Sequence, residues 1–436
     1  MAIEVTRFRT DVMMRRPHVA NGRGAVRNGD PAEHDPRARV AASAISLLEH
    51  CKKQEWAGFD PYDALNSRVF DSTPFMKSRV FRIAFIQLMK RFPVNIRPLL
   101  LISKEQNPKA LALFLSALLK LSRLGMNAGE ELAATMIERL VDLRSQDIPY
   151  WCWGYSFPWQ TRTNLVPRGA PNLVCTTFVA NALLDAYERT SEPRCLSMAV
   201  SAAEYILYEL YWSEGDAIAG FSYPLPHLKT RVHNANFLGA ALFCRVYKHT
   251  GEKKFLDPAL KVARYSAAKQ RDDGSWDYGE LGTQRWVDNF HTGYNLCALR
   301  DIGRYAQTAE FDSPIRSGLA FYRKRFFRED GAPKYYHDRV FPIDIHSIAQ
   351  SIITLTKFRD LDPEGVKQAM SVFEWAMEHM RSREGYYFYQ VHPLYTNKIS
   401  YMRWSQAWML LALSTLLETC EPDAAGSIDS TRQPGW

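Results

Sequence analysis

Two side chains that could move a proton stand together at the start of an apolar helix. Residues 285–298 read Arg-Trp-Val-Asp-Asn-Phe-His-Thr-Gly-Tyr-Asn-Leu-Cys-Ala, which places Asp288 and His291 within one helical turn of each other. A carboxylate beside an imidazole is suited to general acid–base catalysis. Asp288 or Asn289 is also a natural N-cap, because a short side-chain oxygen can accept a free N–H of the first turn. This junction alone therefore leaves a purely structural role open.

A similar pair, Asp344 and His346, precedes another apolar helix farther along the chain. Two carboxylates facing one cleft could act on a glycosidic bond, and a separation of about 5 Å or of roughly 6.5–9.5 Å would distinguish retention from inversion. The simpler alternatives are a helix cap for Asp344 and a buried histidine for His346. The predicted catalytic residues are Asp288, His291, Asp344 and His346.

Aromatic and polar residues near these junctions suit a sugar ligand. Flat rings can stack on the C–H faces of a sugar while polar groups meet its hydroxyls. Arg403 or Arg162 could hold the carboxylate of a uronate in a bidentate pair. Any single ring could instead fill the core of the fold. The predicted substrate-binding residues are Trp153, Trp159, Arg162, His233, Asn236, Trp276, Tyr278, Trp286, Tyr336, Lys398, Tyr401 and Arg403.

The loop-to-helix junctions recur with a nearly constant period, which indicates how the chain positions these residues. Aligned on one position in the first helical turn, the junctions lie about 55 to 60 residues apart at Thr176, Asn236, His291, His346 and Arg403. Glycines followed by aromatic residues keep the same period at Gly220, Gly274, Gly331 and Gly385. Two markers that share one period indicate an internal repeat.

Apolar residues at helical spacing predict that the repeat unit is a pair of helices. The predicted pairs are 107–124 with 127–145, 173–190 with 193–211, 234–250 with 253–270, 289–307 with 312–327, and 343–359 with 362–381. Short links within pairs and long aromatic links between pairs would gather the long loops at one end. The helix at 401–419 would form a sixth pair by docking against the helix at 77–90. We therefore predict an all-α fold, an (α/α)6 toroid with six inner and six outer helices.

The predicted domain organisation is a single toroid with two tails. Residues 1–40 are polar and rich in Arg, Gly, Asn and Pro, so we expect them to be disordered. The toroid domain would span residues 41–420, and residues 421–436 would form a disordered tail. A helix at 41–52 would begin the domain.

Composition restricts the partners and the compartment. The net charge of +8 suggests a polyanionic partner, and without a nucleic-acid-binding motif an acidic glycan fits better than DNA or RNA. The seven scattered cysteines and the absence of a signal-like apolar start predict a cytoplasmic protein. The longest apolar run, 110–119, is too short to span a bilayer, so no transmembrane segment is expected. No cofactor or metal motif occurs, and none is predicted.

Several segments together resemble six-hairpin proteins of capsule and exopolysaccharide biosynthesis, the VpsJ-like group. The match covers about residues 77–420, and its segments are Cys152 to Gln160, Val232 to Asn236, Asp288 to Gly293, Lys334 to Asp338, Pro342 to His346, Tyr395 to Lys398, and Tyr401 to Trp404. Some members carry the label delta-aminolevulinic acid dehydratase, which we reject because that enzyme is a parallel β/α barrel and this chain lacks strand–helix repeats. The resemblance implies a six-hairpin glycosidase-like toroid, a fold similar to that of glucuronyl hydrolases, polysaccharide lyases and sugar epimerases.

Three functional hypotheses follow. The first is a carbohydrate-active enzyme of polysaccharide biosynthesis that acts on glycosidic bonds of an acidic oligosaccharide or polysaccharide. The second is a uronate C5-epimerase or lyase on the same fold, in which His or Tyr removes a proton. The third is a non-catalytic glycan-binding scaffold associated with the polysaccharide assembly machinery. Fold alone does not choose among them.

Overall fold

The computed structural model describes residues 35–71, 73–126 and 130–420. These residues form thirteen α-helices: α1 Pro36–Lys53, α2 Arg79–Arg91, α3 Pro108–Arg123, α4 Glu130–Asp142, α5 Leu173–Thr190, α6 Pro193–Tyr205, α7 His233–Thr250, α8 Lys253–Ala267, α9 Asn289–Ala306, α10 Asp312–Arg325, α11 Ile345–Lys357, α12 Glu364–His379 and α13 Ala407–Thr419. Short antiparallel strands join the loops, with β1 Trp159–Gln160 paired to β2 Leu165–Val166, β3 Tyr211–Glu214 paired to β4 Ile218–Phe221, and a third sheet of β5 Ile343–Asp344, β6 Gln390–Val391 and β7 Thr396–Asn397.

Twelve of these helices form two concentric rings. The inner ring runs α3, α5, α7, α9, α11 and α13, and α13 packs against α3 to close it. Each inner helix packs mainly against one outer helix, and the outer ring consists of α4, α6, α8, α10, α12 and α1. Inner helices are covered on both sides, so α11 is buried along nearly its whole length. The predicted (α/α)6 toroid is therefore confirmed.

The sixth hairpin differs from the prediction, because α13 packs against α1 and not against the helix near residues 77–90. Val40 and Leu47 on α1 are completely buried. The expected disorder over residues 1–40 is also wrong from Asp35 onward, since Asp35 caps α1 by accepting the N–H of Arg37 at 2.9 Å. An aspartate followed by proline is a helix-start signal that the sequence interpretation passed over. The predictions for residues 1–34 and 421–436 lie outside the described residues.

Two of the repeated glycines, Gly331 and Gly385, show that the last hairpin is built like the one before it. Gly331 and Gly385 have φ of +87° and +88°, and a Cβ on either would press on the next outer helix. It would lie 2.9 Å from the carbonyl oxygen of Ser371 on α12, and 3.0 Å from that of Ser46 on α1. α1 therefore occupies the same place in its hairpin as α12 does. Gly220 differs, because it lies in β4 without a positive φ.

Helix α2 lies outside both rings, on the face formed by the long loops. It packs on the 3-10 turns Asp63–Asn66 and Pro74–Lys77 and on β1. Arg82 fixes α2 to β1 by donating from Nε to Oε1 of Gln160 at 2.7 Å. α2 therefore adds a wall to the loop face and does not complete the ring.

Candidate active site

A cavity of about 330 Å³ opens at the loop face, where the inner helices begin. Every inner helix contributes a residue from its first turn or, before α13, from the π-helical turn Met402–Gln406. These six residues are Lys109, Val174, Asn234, His291, His346 and Arg403. Eight of the sixteen predicted site residues line this cavity: Trp159, Tyr278, Trp286, Asp288, His291, Tyr336, His346 and Arg403.

Asp288 performs both of the roles that its position in the sequence allowed. Its Oδ1 caps α9 by accepting the backbone N–H of His291 at 2.9 Å. Its Oδ2 accepts from Nδ1 of His291 at 2.7 Å and from Nε1 of Trp286 at 3.0 Å. This arrangement holds the proton of His291 on Nδ1, so Nε2 carries the free lone pair. Nε2 has no hydrogen bond to any described residue, and His291 can act as a base toward a ligand.

A second pair that can carry a proton lies beside the first. Tyr294 follows His291 by one helical turn, and its Oη is 2.6 Å from Nε2 of His346. The ring centroid of Tyr294 is 5.9 Å from that of each histidine. Burial and the nearby charges of Lys109 and Arg403 hold the pKa of His346 well below its usual value, so its imidazole is neutral at pH 7. Burial likewise holds the pKa of the Tyr294 hydroxyl well above its usual range.

Asp344 does not face the cavity, contrary to the expectation of two opposed carboxylates. Its side chain is completely buried and accepts from the backbone N–H of His346 at 2.8 Å. It also accepts from Nε2 of Gln390 at 2.6 Å and from Nε1 of Trp404 at 3.0 Å. Burial raises the pKa of Asp344 to about 6. Asp344 therefore positions His346 and Trp404 from behind the cavity wall.

Arg403 lines the cavity but cannot hold a uronate in the expected bidentate manner. Its Nε and Nη2 already donate to the two carboxylate oxygens of Asp60, at 2.7 and 2.8 Å. A substrate carboxylate would need these same two N–H groups, Nε and Nη2, for a bidentate contact. Arg162, the alternative, is exposed and lies outside the cavity lining.

Five further predicted binding residues belong to the core and not to the cavity wall: Trp153, His233, Asn236, Trp276 and Tyr401. The indole N–H of Trp153 donates to the carbonyl of Leu140 at 2.7 Å. The amide of Asn236 accepts from the backbone of Phe221 and donates to Ser266. These contacts tie loops to helices, which explains why polar and aromatic residues recur at the junctions without facing a ligand. Lys398 is exposed, with its Nζ near the ring of Phe388.

Two lysines that were not predicted from the sequence line the cavity. Lys90 comes from α2 and donates to Oη of Tyr62 at 2.9 Å. Lys109 is only 3% exposed, and its Nζ lies 4.0 Å from the centroid of the Phe178 ring. Within the described residues Lys109 has no ion pair, and burial followed by the charge of Arg403 holds its pKa well below the usual value. Asn107 and Pro108, the N-cap and first residue of α3, could have shown that Lys109 lies in the first turn of an inner helix.

Aromatic rings give the cavity flat walls. Tyr278 and Trp286 stack with centroids 4.6 Å apart and planes inclined by 11°. Nε1 of Trp159 and Oδ1 of Asn234 lack a partner within the described residues, so a hydroxylated ligand could satisfy them after a small shift. Rings with a few unsatisfied polar groups suit a sugar.

The opposite end of the ring holds a larger cavity, of about 630 Å³, near the C-terminal ends of the inner helices. Its charged groups are mostly paired with each other, as in Arg245 with Asp185 and Lys357 with Asp301. No histidine is among the described residues that line it, so the loop-face cavity, with His291, is the better candidate for proton transfer.

Over the described ranges, no three His, Cys, Asp or Glu side chains gather as metal ligands. None of the helices described there is long and apolar enough to cross a bilayer. All seven cysteines are unpaired.

Comparison with known proteins shows the fold. No family model and no curated protein matches the chain. A cellobiose 2-epimerase from Bacillus thermoamylovorans is 12% identical, with a TM-score of 0.58 over 72% of this chain and 88% of that one. A GH76 α-mannanase from Bacteroides thetaiotaomicron is 12% identical, with a TM-score of 0.57 over 73% and 88%. An unsaturated glucuronyl hydrolase from Streptococcus agalactiae is 12% identical, with a TM-score of 0.57 over 88% and 92%. The chain therefore has the six-hairpin glycosidase-like (α/α)6 toroid fold.

Proposed function

We propose that this protein is a carbohydrate enzyme that moves a proton at a carbon of its substrate, as a sugar epimerase, isomerase or lyase does. One observation carries the proposal: the Asp288–His291 pair and the Tyr294–His346 pair line the same cavity. In each pair, a side chain that can exchange a proton is held in place by a hydrogen bond to its partner. Proton transfer to or from a substrate requires such fixed groups.

The chemistry starts at a carbon next to a carbonyl or carboxyl group. Nε2 of His291 removes the proton, and the electron pair of the C–H bond moves to the neighbouring oxygen as an enolate. Transfer of the Tyr294 hydroxyl proton to the other face inverts the carbon and leaves Tyr294 deprotonated beside His346. The proton held by His291 then returns to Tyr294 through solvent, which resets the site. Return by His291 to the adjacent carbon, while the proton of the neighbouring hydroxyl passes to the former carbonyl oxygen, interconverts an aldose and a ketose. Asp288 stabilises the imidazolium that forms between these steps.

Lys90 supplies a positive charge near the developing enolate. Burial opposes that charge, but the hydroxyl of Tyr62 and the carboxylate of Asp344 hold the pKa of Lys90 above its usual value. A charged donor at the oxygen lowers the barrier most where water is excluded. A substrate carboxylate would also meet Lys90 more readily than Arg403, whose fork is occupied.

Hydrolysis by two opposed carboxylates is less well supported, because Asp344 is enclosed by Gln390 and Trp404. Structural neighbours include enzymes named as an epimerase and an isomerase: the cellobiose 2-epimerase and a D-mannose isomerase with a TM-score of 0.51. The neighbours also include hydrolases, so the fold is compatible with both reactions, and the side chains of the cavity are what favour proton transfer.

The biological setting is proposed from the sequence segments that resemble the capsule and exopolysaccharide group. On that basis, the substrate is a sugar or oligosaccharide of polysaccharide biosynthesis, and the enzyme works in the cytoplasm beside the assembly machinery. The alternative is a non-catalytic, glycan-binding scaffold, and the following experiment distinguishes it from an enzyme.

The test is incubation of the full chain in heavy water with reducing disaccharides and with uronate oligosaccharides. NMR then detects deuterium at C2 or C5, and a reducing-end assay detects cleavage. Proton transfer predicts deuterium on carbon without new reducing ends. New reducing ends without deuterium would show glycosidic cleavage. Saturable binding of a glycan with neither product would show a scaffold.

A further inference from the structure

The outward side of α2 is apolar where a surface helix is normally polar. Val80, Ala84 and Leu88 are spaced four residues apart and so lie along one side. Val80 is 71% exposed and Leu88 is 55% exposed. Phe85 and Met89, on the opposite side, are buried. The helix thus carries apolar residues on both sides, and the protein covers only one of them.

The exposed apolar side continues beyond the helix. Val94 is 61% exposed in the loop after α2, and Leu394 is 96% exposed in the loop between β6 and β7. Two hydrogen bonds hold the segment around Leu394 against the end of α2: Oη of Tyr395 donates to the carbonyl of Arg91 at 3.5 Å, and Nδ2 of Asn397, on β7, donates to the carbonyl of Phe92 at 3.3 Å. We call this surface the α2 patch; it comprises Val80, Leu88, Phe92, Val94 and Leu394.

Positive charge surrounds the α2 patch without any acidic residue from the same segment. Residues 72–104 contain seven Lys and Arg and no Asp or Glu. Lys77, Arg79 and Arg91 are exposed, and none has an ion pair within the described residues. On the outer ring, by contrast, exposed arginines such as Arg264 pair with a glutamate.

We propose that the α2 patch docks on an anionic lipid bilayer. Exposed apolar side chains on a short helix, flanked by unpaired cations, are typical of segments that lie in the membrane interface. The apolar residues would enter the boundary between headgroups and acyl chains. Lys77, Arg79 and Arg91 would meet lipid phosphates, and each basic residue close to an anionic surface adds to the binding.

A second copy of the chain fits this surface less well. A two-fold contact would place the same patch on both sides and would bring Arg79 and Arg91 close to the same cations of the partner. No acidic residue of the segment is available to neutralise them. An anionic bilayer supplies both the apolar layer and the opposite charge.

The inward side of α2 links this surface to the candidate active site, since Lys90 lines the cavity. Docking would therefore hold the loop face beside the bilayer. The inference does not require the proposed chemistry, because it rests on exposure and charge alone.

The test is co-sedimentation of the full chain with vesicles of phosphatidylcholine alone and of phosphatidylcholine with phosphatidylglycerol. The proposal predicts binding to the anionic vesicles that weakens with salt, and roughly tenfold weaker binding to the neutral ones. The double variant V80S/L88S should lose most of the binding, and R79Q/R91Q should lose its salt-sensitive part. Light scattering of the same samples reports the oligomeric state.

Leu361→Ser provides the matched control, because Leu361 is 50% exposed but lies between α11 and α12. This variant should bind anionic vesicles as well as the wild type does. Equal binding to both vesicle types, or unchanged binding of V80S/L88S, would overturn the proposal. So would a wild-type dimer that V80S/L88S converts to a monomer, since the patch would then join two copies of the chain.

Discussion

At the scale of single residues, hydrogen bonds decide which ionisable groups of the cavity remain available. Arg403 is engaged by Asp60, and Asp344 by Gln390 and Trp404. His291 remains free at Nε2, within the same cavity as Tyr294. The sequence could identify the residue types at each helix start, but not which of them bond backward into the core. That choice depends on loops from other hairpins, which no local pattern contains.

Asp344 should make stability fall as pH rises. Burial raises its folded-state pKa from 3.8 to about 6, so the fold favours the protonated form. Its contribution is full below about pH 4 and is lost as pH rises through 6, by up to about 3 kcal/mol. Asp344→Asn removes this loss, so its free energy of unfolding should improve relative to the wild type between pH 4 and pH 7. Urea unfolding at pH 4 and at pH 7 measures the free energy of unfolding of both proteins. A difference between the variant and the wild type that is the same at the two pH values would contradict this prediction.

Lys109 should cost the folded state stability, because its amine is buried without a carboxylate partner. Its folded-state pKa is depressed, so the unfolded chain gains a proton as pH falls below 10.5 and the fold weakens. Lys109→Met should therefore raise the thermal unfolding temperature, and the gain should be larger at pH 6 than at pH 9. Lys90→Met is the control, and it should lower stability by about 1 kcal/mol because Tyr62 loses its hydrogen bond. A lower unfolding temperature for Lys109→Met at pH 6 would contradict this account.

At the scale of elements, the helix starts are similar in sequence but serve two purposes. α9 and α11 begin with an aspartate cap followed by a histidine on the cavity wall. The start of α7 instead directs Asn236 into the core, where it holds β4 and α8. The repeat predicted the hairpins because every unit buries the same kind of face. The repeat could not show which helix pairs with α13 in the sixth hairpin, since α1 and α2 are both amphipathic and both precede α3.

The role of α1 as the sixth outer helix gives a test at this scale. Leu47 is completely buried on α1, whereas Ile45 is 49% exposed on the same helix. Leu47→Ala should lower the free energy of unfolding by roughly 2–5 kcal/mol, because it leaves a cavity in the last hairpin. Ile45→Ala should change it by less than about 0.5 kcal/mol. Chemical denaturation measures both, and equal effects would indicate that α1 does not pack as described.

At the scale of the whole molecule, closing the ring brings six helix starts to one face. Residues as distant in sequence as Lys109 and Arg403 thereby line one cavity of about 330 Å³. The long links, which the sequence placed at one end, cover this face together with α2. The position of α2 could not be predicted from the repeat, because α2 belongs to none of the six hairpins. The opposite end has the larger cavity, but its charges are mostly paired.

The most direct test of the central claim is the rate of deuterium exchange at a sugar carbon in heavy water, compared among wild type and three variants. His291→Asn should reduce the rate by about 100-fold or more, and Tyr294→Phe by a smaller factor, because each removes a group that handles the proton. His227→Asn, at an exposed site outside the cavity, should exchange at the wild-type rate. Exchange that persists at the wild-type rate in His291→Asn would contradict the account.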